Sequence, residues 1–172
     1  NLYKFRGSNG YSLWPGARRY NQWLTSYVGD FLITAKEEGF SINSGIIDQW
    51  IKNEKSLAAN WYIPGSTEQW EIRSSRFGQA YRLYVLAKSG NAMLNEMNRL
   101  KEDHQLTSHD AVLLGAAYAE AGRKDLAEQI INNSKKMEDD ISNAYYSRNF
   151  GSSIRDAALI TILYQDLDMK NE

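Results

Sequence analysis

The chain has 172 residues, 42% of them hydrophobic and 24% charged, enough for one folded domain and too apolar for a disordered segment. Its formal net charge of −1 provides no global field for nucleic acid or an anionic membrane, and Lys and Arg read as spread along the chain without a basic patch. It contains no cysteine, which excludes disulfides, thiolate metal sites and cysteine nucleophiles together, and no apolar run approaches the roughly 18 residues of a spanning helix.

Residues 1–18 are expected to form an irregular opening segment, with strand-like alternation only near residues 10–13. The chain begins Asn1-Leu2-Tyr3, without Met or a signal-peptide pattern, as a piece of a longer protein would. The first predicted helix runs from Asn21 to Glu38, with Trp23, Leu24, Tyr27, Phe31 and Ala35 on its inward stripe and Gly39 as its stop. A second, over about 45–61, follows an Asn43/Ser44 cap and buries Ile46, Ile47, Trp50, Ile51 and Leu57. A third spans about 67–88, with Phe77, Ala80, Tyr81, Tyr84, Leu86 and Ala87 inward and Gly90 after it. Its start is read as a capping box of Ser66 and Gln69, placed after Pro64-Gly65. Further helices are predicted over about 91–103, 108–121, 124–135 and 153–166, so the fold class is all-α.

Three of these helices close alike: Tyr27…Ala35…Gly39, Tyr84…Ala87…Gly90 and Tyr118…Ala121…Gly122 each run from an apolar helix to a small residue and a glycine. The glycines are unevenly spaced, which fits helical hairpins stacked side by side rather than a strict repeat. Ala116-Ala117-Tyr118 with Ala121-Gly122-Arg123 and Ala127 resembles a single tetratricopeptide unit, so a helical-repeat binding module is the alternative reading.

Candidate chemistry is sparse. His104 and His109 are the only histidines, and five residues apart across a helix break they share no helical face; no metal or catalytic role is expected of them. Glu37-Glu38 and Asp139-Asp140 read as solvated runs, whereas Asp30 and Asp156 lie in apolar helices and are the candidates for buried carboxylates. A carboxylate pair of that kind serves α/α-ring carbohydrate enzymes, but nothing aims these two at each other. Trp14, Trp23, Trp50, Trp61 and Trp70 sit on or beside helices and are expected in the core, each able to bury on the order of 200 Å². No cofactor is expected.

Asn9-Gly10-Tyr11-Ser12-Leu13-Trp14-Pro15-Gly16, followed by Gln22-Trp23-Leu24-Thr25-Ser26-Tyr27-Val28, resembles the thioester-containing domain of the alpha-2-macroglobulin family, in its bacterial branch. Matches continue in order through Gln79-Ala80-Tyr81-Arg82-Leu83-Tyr84, Met97-Asn98-Arg99-Leu100, Ala116-Ala117-Tyr118-Ala119 with Ala121-Gly122-Arg123, and Arg155-Asp156-Ala157-Ala158. Trp14, Pro15, Gly16, Trp23, Leu24, Thr25, Tyr27, Tyr81, Tyr84, Arg99 and Gly122 form the structural signature. The resemblance implies an α/α toroid of helical hairpins, with residues 1–172 as one incomplete ring. It also implies a non-catalytic part of a protease-trapping inhibitor of the periplasm or cell envelope. The implied partners are proteases trapped by the full-length parent and other domains of that parent, with no nucleic acid and no membrane contact by this piece. Open ring edges would favour self-association.

Gly65-Ser66-Thr67-Glu68-Gln69 resembles the Gly-Cys-x-Glu-Gln thioester run of the same family, but a serine alkoxide is too poor a leaving group for that chemistry. In the family the run lies upstream of the Trp-Leu-Thr helix, whereas here it lies downstream of Trp23. The thioester position is therefore expected before Asn1, and the family's domain is expected to continue beyond Glu172. The histidine that assists acyl transfer in some complement relatives has no match.

Overall fold

The computed structural model describes residues 2–134 and 153–166; the Asp139-Asp140 run lies outside them, as do the side chains of Arg155 and Asp156. Among the described residues seven α-helices follow a short 3₁₀ turn at Leu2–Phe5: α1 Gln22–Glu37, α2 Ser44–Ala59, α3 Gln69–Lys88, α4 Leu94–Lys101, α5 Ser108–Glu120, α6 Lys124–Ser134 and α7 Ser153–Asp166. Among the described residues the extended pairing is a single antiparallel bridge, Arg6 to Tyr11, so the all-α class holds. The chain divides into two compact units, Asn1–Trp61 and Tyr62–Glu172.

In the first unit α1 packs on α2. Asn21 caps α1 by accepting from Leu24 N–H at 2.8 Å, and Asn43 caps α2 from Gly45 N–H at 2.9 Å. The buried face of α1 is Thr25, Ser26, Val28, Gly29, Leu32 and Ile33, with the three- and four-residue spacing of a helix stripe. This corrects the aromatic stripe expected inward. Tyr27 and Phe31 are exposed and Trp23 and Leu24 only half-buried, with the Trp23 ring stacked on Tyr27 at 5.2 Å. The helix is apolar on both faces, so periodicity alone does not choose between them. What chooses is Gly29: a Cβ there would stand 2.0 Å from the Trp50 ring, so the small side of α1 receives that indole. On α2 the inward residues are Ile47, Trp50, Glu54 and Ala58, with Ile46, Ile51 and Leu57 half-buried beside them.

In the second unit α3 and α5 are the inner pair; α3 is buried almost all round from Phe77 to Ala87, and α5 from Asp110 to Tyr118. Such a helix is apolar on every side because it has neighbours on every side. The α3 residues named from sequence are all buried. Helix α5 also packs on α6, where a Cβ at Gly115 would meet Ile131 at 2.6 Å, and on α7, which buries Leu163. The expected capping box at the start of α3 does not form. Ser66 instead accepts from Glu68 N–H at 3.1 Å, a reach of two residues that makes a local turn, and the helix begins at Gln69 with no side-chain cap. A capping box does occur at α5, between Thr107 and Asp110.

The shared endings read from the sequence are one geometry used three times. Gly39, Gly90 and Gly122 have φ of 87°, 75° and 76°. In each case the glycine N–H and the following N–H turn back on the last helical turn: Gly39 to Lys36 and Phe40 to Ala35, Gly90 to Ala87 and Asn91 to Leu86, Gly122 to Ala119 and Arg123 to Tyr118. These are Schellman ends, and they need a residue that tolerates the left-handed region.

Candidate functional site

The signature loop and the α1 signature meet at Thr25, which is fully buried. Its hydroxyl donates to the Asn21 carbonyl at 2.7 Å and accepts from Tyr11 N–H at 2.9 Å. Its carbonyl accepts from the Trp50 indole N–H at 2.8 Å. One residue thus ties the opening segment, α1 and α2 together. Gly10 belongs to the same junction for two reasons: its φ is 152°, and a Cβ there would lie 2.5 Å from the Thr25 hydroxyl. Asn21 N–H donates to the Tyr11 carbonyl at 2.8 Å, so the loop between Tyr11 and Asn21 leaves and returns at one point. Ser12 N–H donates to the Phe5 carbonyl at 2.8 Å, and its hydroxyl reaches the Trp14 carbonyl at 2.8 Å. Burial pushes the Tyr11 phenol up, against a smaller opposing effect of Arg6.

Next to this junction Ser26 donates to the Glu54 carboxylate at 2.7 Å, both side chains buried. Among the described residues the buried carboxylates are Glu54 and Asp110, not Asp30, which is half-buried; the side chain of Asp156 lies outside the described residues. The Ser26–Glu54 pair has the atoms of a nucleophile and a base but no access for a substrate. The adjoining notch, lined by Arg6, Gly10, Tyr11, Gln49, Trp50 and Asn53, encloses about 10 Å³, room for one water. Among the described residues no three His, Asp or Glu side chains are grouped to hold a metal.

The second unit carries its polar groups in the same structural manner. Arg76 forks onto Asp103 at 2.6 and 3.3 Å and reaches Gln105 at 2.9 Å. Arg82 donates to Gln79 at 2.7 Å within the buried face of α3. The Tyr118 hydroxyl donates to Asn98 at 2.7 Å. Of the signature residues here, Tyr81 and Tyr84 are buried with ring centres 6.4 Å apart, Arg99 is exposed, and Gly122 ends α5. Asp110 is fully buried, and burial pushes its carboxyl up to about 6, outweighing the hydrogen bonds of Thr107 and the nearby charges of Arg76 and His109.

Trp14 departs from the core role expected of the tryptophans: it is 74% exposed, with Pro15 and Gly16 exposed beside it, while Trp50 is buried and Trp23, Trp61 and Trp70 are half-buried. The same opening segment also exposes Leu2, Tyr3, Leu13, Lys4, Arg6, Arg18 and Arg19. The even spread of Lys and Arg read from the sequence misses this concentration. The signal that finds it is an absence: no Asp or Glu precedes Asp30.

No family model matches the chain. It is similar to bacterial alpha-2-macroglobulins through nearly its whole length. It is 29% identical to the alpha-2-macroglobulin of Escherichia coli over 169 residues, 94% of this chain and 10% of that protein. With the Xylella fastidiosa alpha-2-macroglobulin the identity is 26% over 168 residues, again 94% of this chain and 10% of that protein. The structure of E. coli alpha-2-macroglobulin activated by porcine elastase matches with a TM-score of 0.83 and 25% identity, covering 98% of this chain and 15% of that one. The chain therefore spans about a tenth of the length of the curated relatives it matches.

Proposed function

We propose that residues 1–172 are one structural helical domain, of α/α-toroid type, in a bacterial alpha-2-macroglobulin-like protein that traps proteases, and that the domain performs no chemistry of its own. The observation that carries this reading is a likeness in both sequence and fold that extends from the opening segment to the last helix. The buried geometry supports the second part. The Thr25 hydroxyl is engaged by Asn21 and Tyr11, its carbonyl by Trp50, and the Ser26 hydroxyl by Glu54, which fixes helices in place and leaves these two buried hydroxyls beside a notch no larger than one water. A thioester would require a cysteine, and this chain has none.

A protease as partner follows from the relative whose structure is described as activated by elastase. We assign the parent to the periplasm or cell envelope, a reading that the likeness to bacterial alpha-2-macroglobulins supports; among the described residues no helix is long and apolar enough to cross a membrane. The test uses the full-length parent incubated with elastase. A trap leaves the protease active on a small peptide substrate while its cleavage of a large protein substrate falls away. Equal retention of both activities overturns the proposal, as does reversible peptide binding without cleavage of the parent, the behaviour of a helical-repeat binding module.

A further inference from the structure

We infer that the opening segment is a docking surface for an anionic lipid bilayer. Two kinds of group are exposed together there. The first 29 residues carry Lys4, Arg6, Arg18 and Arg19 and no Asp or Glu, and all four cations are exposed. Between them Trp14 is 74% exposed, Tyr3 64%, Leu13 41% and Leu2 38%. Long cationic side chains interleaved with Trp, Tyr and Leu match the boundary between headgroups and acyl chains. There the ammonium and guanidinium heads meet lipid phosphates while indole and leucine enter the apolar edge.

The geometry presents this mixture on a fixed base. Residues 2–6 and 13–19 are two excursions from one junction: the Phe5 carbonyl accepts from Ser12 N–H, Arg6 pairs with Tyr11, and Tyr11 is bonded to both Asn21 and Thr25. Within the second excursion, Ala17 N–H closes a turn onto the Trp14 carbonyl at 3.2 Å. The loops are thus held before binding, and little ordering cost is left for the encounter. Lipid is favoured by the charge complementarity of four cations with anionic headgroups and by apolar side chains suited to the acyl boundary. An acidic protein surface, which would also accept Arg beside Trp and Tyr, is the competing outcome of the test. The inference reverses the expectation of no membrane contact drawn from the near-neutral total charge, because a total averages away a local excess. It does not rest on the protease-trapping proposal.

The experiment is co-sedimentation of the 172-residue chain with phosphatidylcholine vesicles, with and without phosphatidylglycerol. Binding is expected only when phosphatidylglycerol is present, and it should weaken as salt is raised. Arg18→Glu with Arg19→Glu should lower the affinity by more than about 25-fold, roughly fivefold for each cation lost. Trp14→Ala should lower it severalfold at unchanged charge. Circular dichroism confirms that each variant keeps its helices, and Lys4→Gln with Arg6→Gln provides a second charge test at separate positions. Failure to sediment with anionic vesicles at low salt overturns the inference. So does binding that is indifferent to Trp14→Ala and equally well competed by polyglutamate, the result that would assign the surface to an acidic protein.

Discussion

Thr25 joins three segments through one hydroxyl and one carbonyl. Thr25→Val keeps the shape and removes the hydroxyl, leaving the buried Tyr11 N–H without its acceptor. The expected cost is about 1–3 kcal/mol in urea unfolding; a change near zero would mean that the junction carries no stability. Trp23 is the opposite case. A position in the ring interior, as the resemblance suggested, would make Trp23→Ala cost about 3–5 kcal/mol. Half-buried and stacked on Tyr27, it should cost about 1–2 kcal/mol, measured the same way. The signature motifs drew attention to both residues, but the sequence could not rank them. Burial depends on which face of α1 receives Trp50, and that is decided 21 residues downstream of Gly29 by a partner on another helix.

At the scale of elements, helix ends were more legible than helix faces. The glycines after α1, α3 and α5 announced their endings because their Schellman geometry needs a left-handed residue, a local requirement visible in one letter. Among the described residues nothing beyond its chain neighbours lies within 4 Å of a Cβ built at Gly90, so Gly90→Ala should cost only backbone strain, about 1–2 kcal/mol in thermal or urea unfolding, with no repacking. The start of α3 was misread because a hydroxyl two residues before the cap can serve a turn as readily as a helix. The start of α5 offers a pH test. Burial holds Asp110 at about 6 against an ordinary 3.8, so the folded state prefers the protonated acid. Its contribution to stability is therefore full below about 3.8 and lost as pH rises through about 6. Asp110→Asn does not titrate, and its stability relative to the parent chain should rise between pH 3.5 and 7, on the order of 1–3 kcal/mol. A pH-independent difference would show that burial does not shift this carboxyl.

At the scale of the whole molecule, the all-α class was legible from periodicity, since two prolines outside the helices leave long uninterrupted stretches. The likeness to bacterial alpha-2-macroglobulins was legible from ordered motifs rather than from any single one. What stayed hidden was the placement of surface groups: Trp14 and the cations of the opening segment look ordinary until exposure is known. The sequence's imitation of a thioester has a direct check. With no cysteine, and with the Ser66 hydroxyl engaged by Glu68 N–H, incubation with methylamine should leave the intact mass unchanged. An adduct on Gln69 would contradict the assignment of that run to a simple turn. The division into two units also has an optical consequence. Trp14, Trp23, Trp50 and Trp61 belong to the first unit and Trp70 alone to the second, so indole emission reports chiefly on residues 1–61, whereas far-ultraviolet ellipticity weights the longer helical stretch beyond them. Denaturation followed by both signals at once therefore separates the melting of the two parts without any added label, and superimposable curves would identify a single cooperative transition.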